Sequence, residues 1–135
     1  TDVSLKSSRV IEYKMVAIVC IGETLEEKEN GKTNDVLSKQ LEESIPLSSN
    51  SENTIIAYEP VWAIGTGLTP TLGEINTTHE FIKNHNSKFA NYKIIYGGSV
   101  KANNAKEIVS LSNVDGALIG GASLKADDFT KIIED

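Results

Sequence analysis

At 135 residues, with 39% apolar and 24% charged side chains, the chain has the composition of one folded unit with a real core. A net charge of −6 argues against a phosphodiester backbone or an anionic membrane surface as partner. It leaves room for a small anionic ligand, because local N–H groups overrule a distant net charge.

Residues 2–13 are sparsely amphipathic, with Val3, Val10 and Ile11, and read as a helix. The apolar run 15–21 has strand length and ends at Gly22-Glu23-Thr24. A short charged helical turn over 25–29 closes at Asn30-Gly31, and Val36, Leu37, Leu41 and Ile45 recur at helical spacing until Pro46. After a Ser/Asn-rich connection, Thr54-Ile55-Ile56-Ala57-Tyr58 reads as a buried strand.

Glu59 stands where that strand runs out. Pro60 stops the ladder because it has no N–H to donate. Val61, Trp62, Ala63, Ile64, Gly65, Thr66 and Gly67 follow, and Thr71-Leu72-Gly73-Glu74 is a capping box that starts a helix over 72–86. A third strand over 93–96 breaks at Gly97-Gly98-Ser99, and Asn103 or Asn104 caps a helix to about residue 111. A fourth strand, near 115–119, breaks at Gly120-Gly121, and Ser123 caps a last helix striped by Phe129, Ile132 and Ile133.

The order is a helix followed by strand–helix units, which predicts an α/β fold of four parallel strands in one unit spanning 1–135. In parallel α/β folds the strand C-terminal ends carry the site. Those ends hold Cys20 to Glu23, Glu59, Gly97 to Ser99, and Gly120-Gly121. Glu59 has two readings: a carboxylate that satisfies nearby loop amides, or a base under a lid whose apolar residues exclude water. The glycine pairs are either ordinary turns or places where backbone amides approach a phosphate.

The string Ala-Tyr-Glu-Pro-Val-Trp-Ala-Ile-Gly-Thr-Gly, 57–67, resembles the catalytic-glutamate strand and mobile lid of triosephosphate isomerases. Cys-Ile-Gly-Glu-Thr-Leu-Glu-Glu-Lys at 20–28 is similar to the segment after that family's fifth strand. Tyr-Gly-Gly-Ser-Val at 96–100 and Asp-Gly-Ala-Leu-Ile-Gly-Gly-Ala-Ser-Leu at 115–124 are similar to its seventh and eighth strand ends. The resemblance implies the C-terminal half of a (β/α)8 barrel, a fold of roughly 250 residues.

By that resemblance Glu59 is the proton-transferring base for a phosphorylated triose, working without cofactor or metal. Residues 60–67 are the lid, and Gly65, Ser99, Gly120 and Gly121 donate to the substrate phosphate. Trp62 anchors the lid through Glu23, against plainer readings of a surface-packed Trp and a helix-capping Glu. Cys20 is expected to be a packing residue. One departure is Pro70. The family often latches its closed lid by bonding the Tyr96 hydroxyl to the N–H at position 70, and proline has none. Closure would then rely on Ser99 meeting the lid near Gly67, with faster opening.

The family's electrophilic histidine and charge-neutralising lysine belong to its first half. His79 and His85, both on the helix after the lid, read as surface or packing residues with no metal-ligand spacing. Asp127 and Asp128 read as first-turn acids favoured by the helix dipole. The chain begins Thr1-Asp2 and its only methionine is Met15, so a piece of a longer polypeptide is expected, inactive alone. Its sheet would expose Val16, Ile18, Ile56, Ile95 or their neighbours, to be covered by a first-half polypeptide or a second copy. The parent enzyme would be a glycolytic homodimer. Other phosphate-binding barrel enzymes, such as an aldolase, share the glycine-rich corner but not the lid string. A non-catalytic fragment or assembly module is the remaining alternative. Neither a membrane-length apolar run nor a basic-then-apolar leader is seen, and the lone Cys20 fits a reducing compartment, so the cytoplasm is expected.

Overall fold

β-Branched, apolar runs build a parallel sheet ordered β1 (Ala17–Ile21), β2 (Thr54–Tyr58), β3 (Lys93–Tyr96) in the computed structural model, which describes residues 1–134. Strand β1 pairs with β2 from Ala17↔Thr54 to Ile21↔Tyr58, and β2 with β3 from Ile55↔Lys93 to Tyr58↔Tyr96. All three strands therefore end at one edge, where Glu59 and Gly97 follow. The helices are α1 (Asp2–Glu12), α2 (Leu25–Glu29), α3 (Thr33–Ser44), α4 (Leu72–His85), α5 (Ala105–Val109) and α6 (Ala126–Ile133). Short 3-10 turns occupy Val61–Ala63, Ser87–Asn91 and Gly121–Leu124.

Thr71 and Glu74 form the expected capping box of α4, each side chain bonding the other's backbone N–H. Thr24 and Glu27 do the same for α2. The core lies between one sheet face and α3, α4 and α5. Leu37, Leu41, Ile56, Ile75, Ile82, Ile94, Tyr96 and Ile108 are all buried there. Each contributes about 1.5–3 kcal/mol by leaving water.

The fourth strand is shorter than expected. Residues 115–118 pair with β3 through Asp115 N→Ile94 O (2.9 Å), Tyr96 N→Gly116 O (3.0 Å) and Leu118 N→Tyr96 O (2.8 Å). Regular pairing nevertheless amounts to one parallel bridge, Tyr96↔Ala117. The segment is an edge with one neighbour, and Gly116 at φ 158° interrupts its pleat. Two caps also differ. Ser123 sits inside the 3-10 turn and its Oγ donates to Gly120 O (2.7 Å), so α6 starts at Ala126 without a side-chain cap. Asn104 stands at the start of α5, but its side chain accepts from Lys101 N and donates to Ser99 O.

The uncovered sheet face is also reassigned. Val16 and Ile18 are exposed, as expected, and Ile95 is half-buried. Ile56, in contrast, is fully buried against the helices, in register with Val19 and Ile94. On β2 the residues in register with the exposed Ile18 and Cys20 are Ile55, which is half-buried, and Ala57, which is itself fully buried. Side chains alternate, so one residue of register decides which face is wet.

His79 is wholly buried behind the sheet, its ring 5.9 Å from Tyr58 and 6.4 Å from Tyr96, with neither ring nitrogen hydrogen-bonded. Burial pulls its pKa from 6.5 down to about 4. Between those values the unfolded chain binds the proton and the folded chain does not. Stability is therefore complete above pH 6.5 and falls as pH drops toward 4, by at most about 3 kcal/mol. His79→Phe is expected to flatten that part of the stability–pH curve in urea titrations at pH 4.5 and 7; an unchanged slope would count against a neutral buried imidazole.

Candidate active site

The three strand ends are tied together beyond their ladders. Glu59 N donates to Ile21 O (2.7 Å) and Gly97 N to Tyr58 O (2.8 Å), so the Glu59 backbone is held from both sides. Close approach explains two glycines here. A Cβ on Gly22 would overlap the Glu59 carbonyl, and one on Gly97 would overlap the Glu59 side chain. Gln40 of α3 locks the Gly22 peptide, accepting from its N–H (2.8 Å) and donating to its carbonyl (3.0 Å). Sequence reasoning missed Gln40, although a polar residue beside Leu37, Leu41 and Ser44 on a buried helix stripe was a usable signal.

Glu59 is half-buried and lines a cleft of about 880 Å³ together with Ile64, Gly65, Gly97, Gly98, Ser99, Gly120 and Gly121. All four expected phosphate residues, Gly65, Ser99, Gly120 and Gly121, thus meet the expected base in one cavity. Lys101, Lys125 and Asp128 also reach its rim; they were not anticipated as site residues. Ser99 Oγ donates to Ala63 O (2.8 Å), which ties the base of the lid to the end of β3 rather than meeting it near Gly67. Cys20 is not a packing residue in this chain. It is exposed on the open face beside Glu59, and its thiol is pushed up to about 11 by burial of its inner side and by that carboxylate. The helices cover only the other face of β1.

The loop itself is pinned at its entry and free at its tip. Val61 N donates to Glu23 O (3.0 Å), and Pro60 and Ala63 are buried. Ile64, Gly65, Thr66, Gly67 and Leu68 are exposed, and Thr66 Oγ1 closes the turn on Trp62 O (2.8 Å). Gly65 (φ 68°) and Gly67 (φ 79°) take the left-handed conformation, which a side chain would strain. Behind the loop Glu23 is almost completely buried, and its Oε1 accepts from Trp62 Nε1 (3.0 Å) and Tyr58 OH (3.1 Å). The Tyr96 hydroxyl is buried without a partner, and Pro70, also buried, offers it no N–H.

A family model described as triosephosphate isomerase matches residues 1–135. This chain belongs to the triosephosphate isomerase family. The triosephosphate isomerase of Rhizobium meliloti is 56% identical over 123 residues, covering 87% of this chain and 48% of that protein. That of Mesorhizobium japonicum is 50% identical over 137 residues, covering 98% and 54%. The crystal structure of the Bartonella henselae triosephosphate isomerase superposes with a TM-score of 0.87 at 44% identity, across 98% of this chain and 54% of that one. The chain spans about half the length of the triosephosphate isomerases it matches, and its fold is that of half of the barrel. Among the described residues no helix is long and apolar enough to cross a membrane.

Proposed function

We propose that this chain carries the base, the lid and the phosphate grip of a triosephosphate isomerase, and acts once joined to the remaining half of the barrel. The observation that supports this most is the single cleft shared by Glu59, Gly65, Ser99, Gly120 and Gly121. In this reading the substrate is a phosphorylated triose whose dianion lies on the backbone amides of those glycines and of Ser99. Glu59 removes a proton from the hydroxymethyl carbon of dihydroxyacetone phosphate and returns it to the former carbonyl carbon, while the hydroxyl proton passes to the former carbonyl oxygen, giving glyceraldehyde 3-phosphate. Residues 60–67 fold over the cleft and keep water from the intermediate, with Trp62 and Glu23 fixing the hinge. No metal or redox cofactor takes part in the step.

An electrophile must polarise the carbonyl and a cation must offset the phosphate charge. His79 is walled off behind the sheet and His85 lies on the far end of α4, so neither serves. The missing lysine and histidine come from a first-half polypeptide, which also covers Ile18, Cys20 and the half-buried Ile55 on the open face; alternatively, a second copy covers that face without restoring activity. The chain alone is inactive in this reading, the complete enzyme is a homodimer, and its place is the cytoplasm.

The test is an assay on glyceraldehyde 3-phosphate with the chain alone and then with the matching first-half polypeptide. Turnover confined to the mixture is the expected result. A mixture that assembles, as seen by sedimentation, and still turns nothing over would refute the assignment.

A further inference from the structure

We propose that Lys28 is a positioning residue for the lid, a single ammonium group that ties the lid's entry at Trp62 to its exit at Glu74. The proposal rests on the reading of residues 60–67 as a lid over the Glu59 cleft.

Lys28 Nζ lies 3.8 Å from the centroid of the Trp62 ring and 3.0 Å from Glu74 Oε1. Trp62 is in the 3-10 turn where the lid begins. Glu74 belongs to the capping box where the chain resumes as α4, its Oε2 accepting from Thr71 N (2.7 Å) and Thr71 Oγ1 (2.9 Å). The two oxygens of one carboxylate therefore hold the start of α4 and the ammonium that covers the indole. The Thr71 amide first, and Lys28 next, keep the Glu74 carboxyl below its usual range and so ionised. The same indole gives its edge to Glu23, on the other side of the Thr24 cap of α2. Trp62 is thus gripped by its edge and by its face from one short segment, residues 23–28.

An ion pair this exposed adds little to stability by itself. Its effect is geometric. All three contacts are made with the lid tip exposed, so any lid movement that shifts Trp62 must break the cation–ring contact or drag Lys28 from Glu74. The tie favours the position of Trp62 seen here, and its loss shifts the balance toward a lid lowered over the cleft.

Trp62 is the only tryptophan, so its emission reports on the tie directly. A cation over the ring draws iodide to it and repels caesium. At constant ionic strength, Lys28→Met is expected to lower the iodide-to-caesium quenching ratio about two- to fivefold, the population change such a contact supports. Lys28→Arg should retain the ratio, and Glu74→Gln should fall between. In the mixture with the first-half polypeptide, Lys28→Met should lower kcat and KM together by a similar factor, because a lid that closes more readily releases product more slowly. A quenching ratio unmoved by Lys28→Met, or a moved ratio with kcat and KM unchanged, would overturn the proposal. Should Lys28→Met fail to fold, the unaltered chain still decides. The Lys28 ε-methylene protons must show an upfield ring-current shift that Glu74→Gln diminishes, and their absence at shifted positions rules the tie out. An inactive mixture of unaltered chains would sink the enzymatic reading, while the quenching ratio would still judge whether the tie exists.

Discussion

Replacing Glu59 by Gln is expected to cut kcat of the assembled enzyme by about a hundred- to ten-thousandfold, the range that a positioned general base supplies. Glutamine has nearly the same shape, so it fits against Gly97, where a larger change would collide with the end of β3. What it lacks is a basic oxygen. The amides of Gly65, Gly120 and Gly121 are untouched, so affinity for inorganic phosphate or an unreactive phosphorylated analogue should stay within about threefold, well under the tenfold that 1.4 kcal/mol represents. Steady-state assays and an equilibrium titration on the same preparation read the two quantities. Activity within about tenfold of the unaltered protein would mean that the proton is taken by another group, whatever the cleft looks like.

Gly22→Ala is expected to destabilise the fold by about 3 kcal/mol or more, at the upper end for an inserted methyl group. The new Cβ would overlap the carbonyl oxygen of Glu59, and nothing around it is free to move. Glu59 N is bonded to Ile21 O, Val61 N to Glu23 O, and the Gly22 peptide is held on both sides by Gln40. The clash is therefore backbone against backbone, across the strand ends that define the site. In thermal unfolding the midpoint should drop by roughly 10 °C. Gly73→Ala is the matched control. That glycine lies in the first turn of α4 with open space where a Cβ would go, so alanine should raise the midpoint slightly. A Gly22→Ala protein as stable as the Gly73→Ala protein would show that the strand ends are looser than their hydrogen bonds imply.

Much of the architecture was legible one residue at a time. The β-branched run 54–58 became β2 with the expected bounds, and Thr71 and Glu74 capped α4 as a local four-residue pattern requires. Such features depend on neighbours in sequence, so composition and spacing carry them. The shortened fourth segment was not legible, because its edge position depends on what pairs with it. Nor was the side of β2 that packs on the helices. Thr54 to Tyr58 are almost all apolar, and a run without alternation carries no sign of which side faces the helices. Ile56 and Ile55 look alike on paper, yet one is fully buried and the other only half-buried.

The sequence by itself determined the parallel βα alternation, the placement of Glu59 at a strand end, and the glycines that follow β3 and the 114–119 segment. Each is a short-range consequence of side-chain shape and backbone freedom. Only the tertiary structure decided that Gln40 clamps Gly22, that Cys20 stands open beside Glu59, and that Lys28 joins Trp62 to Glu74. Those contacts join residues from separate elements, so distance along the chain says nothing about them. The register of the sheet and the packing of α3 and α4 bring them together, and both follow from burying one face of the sheet in preference to the other.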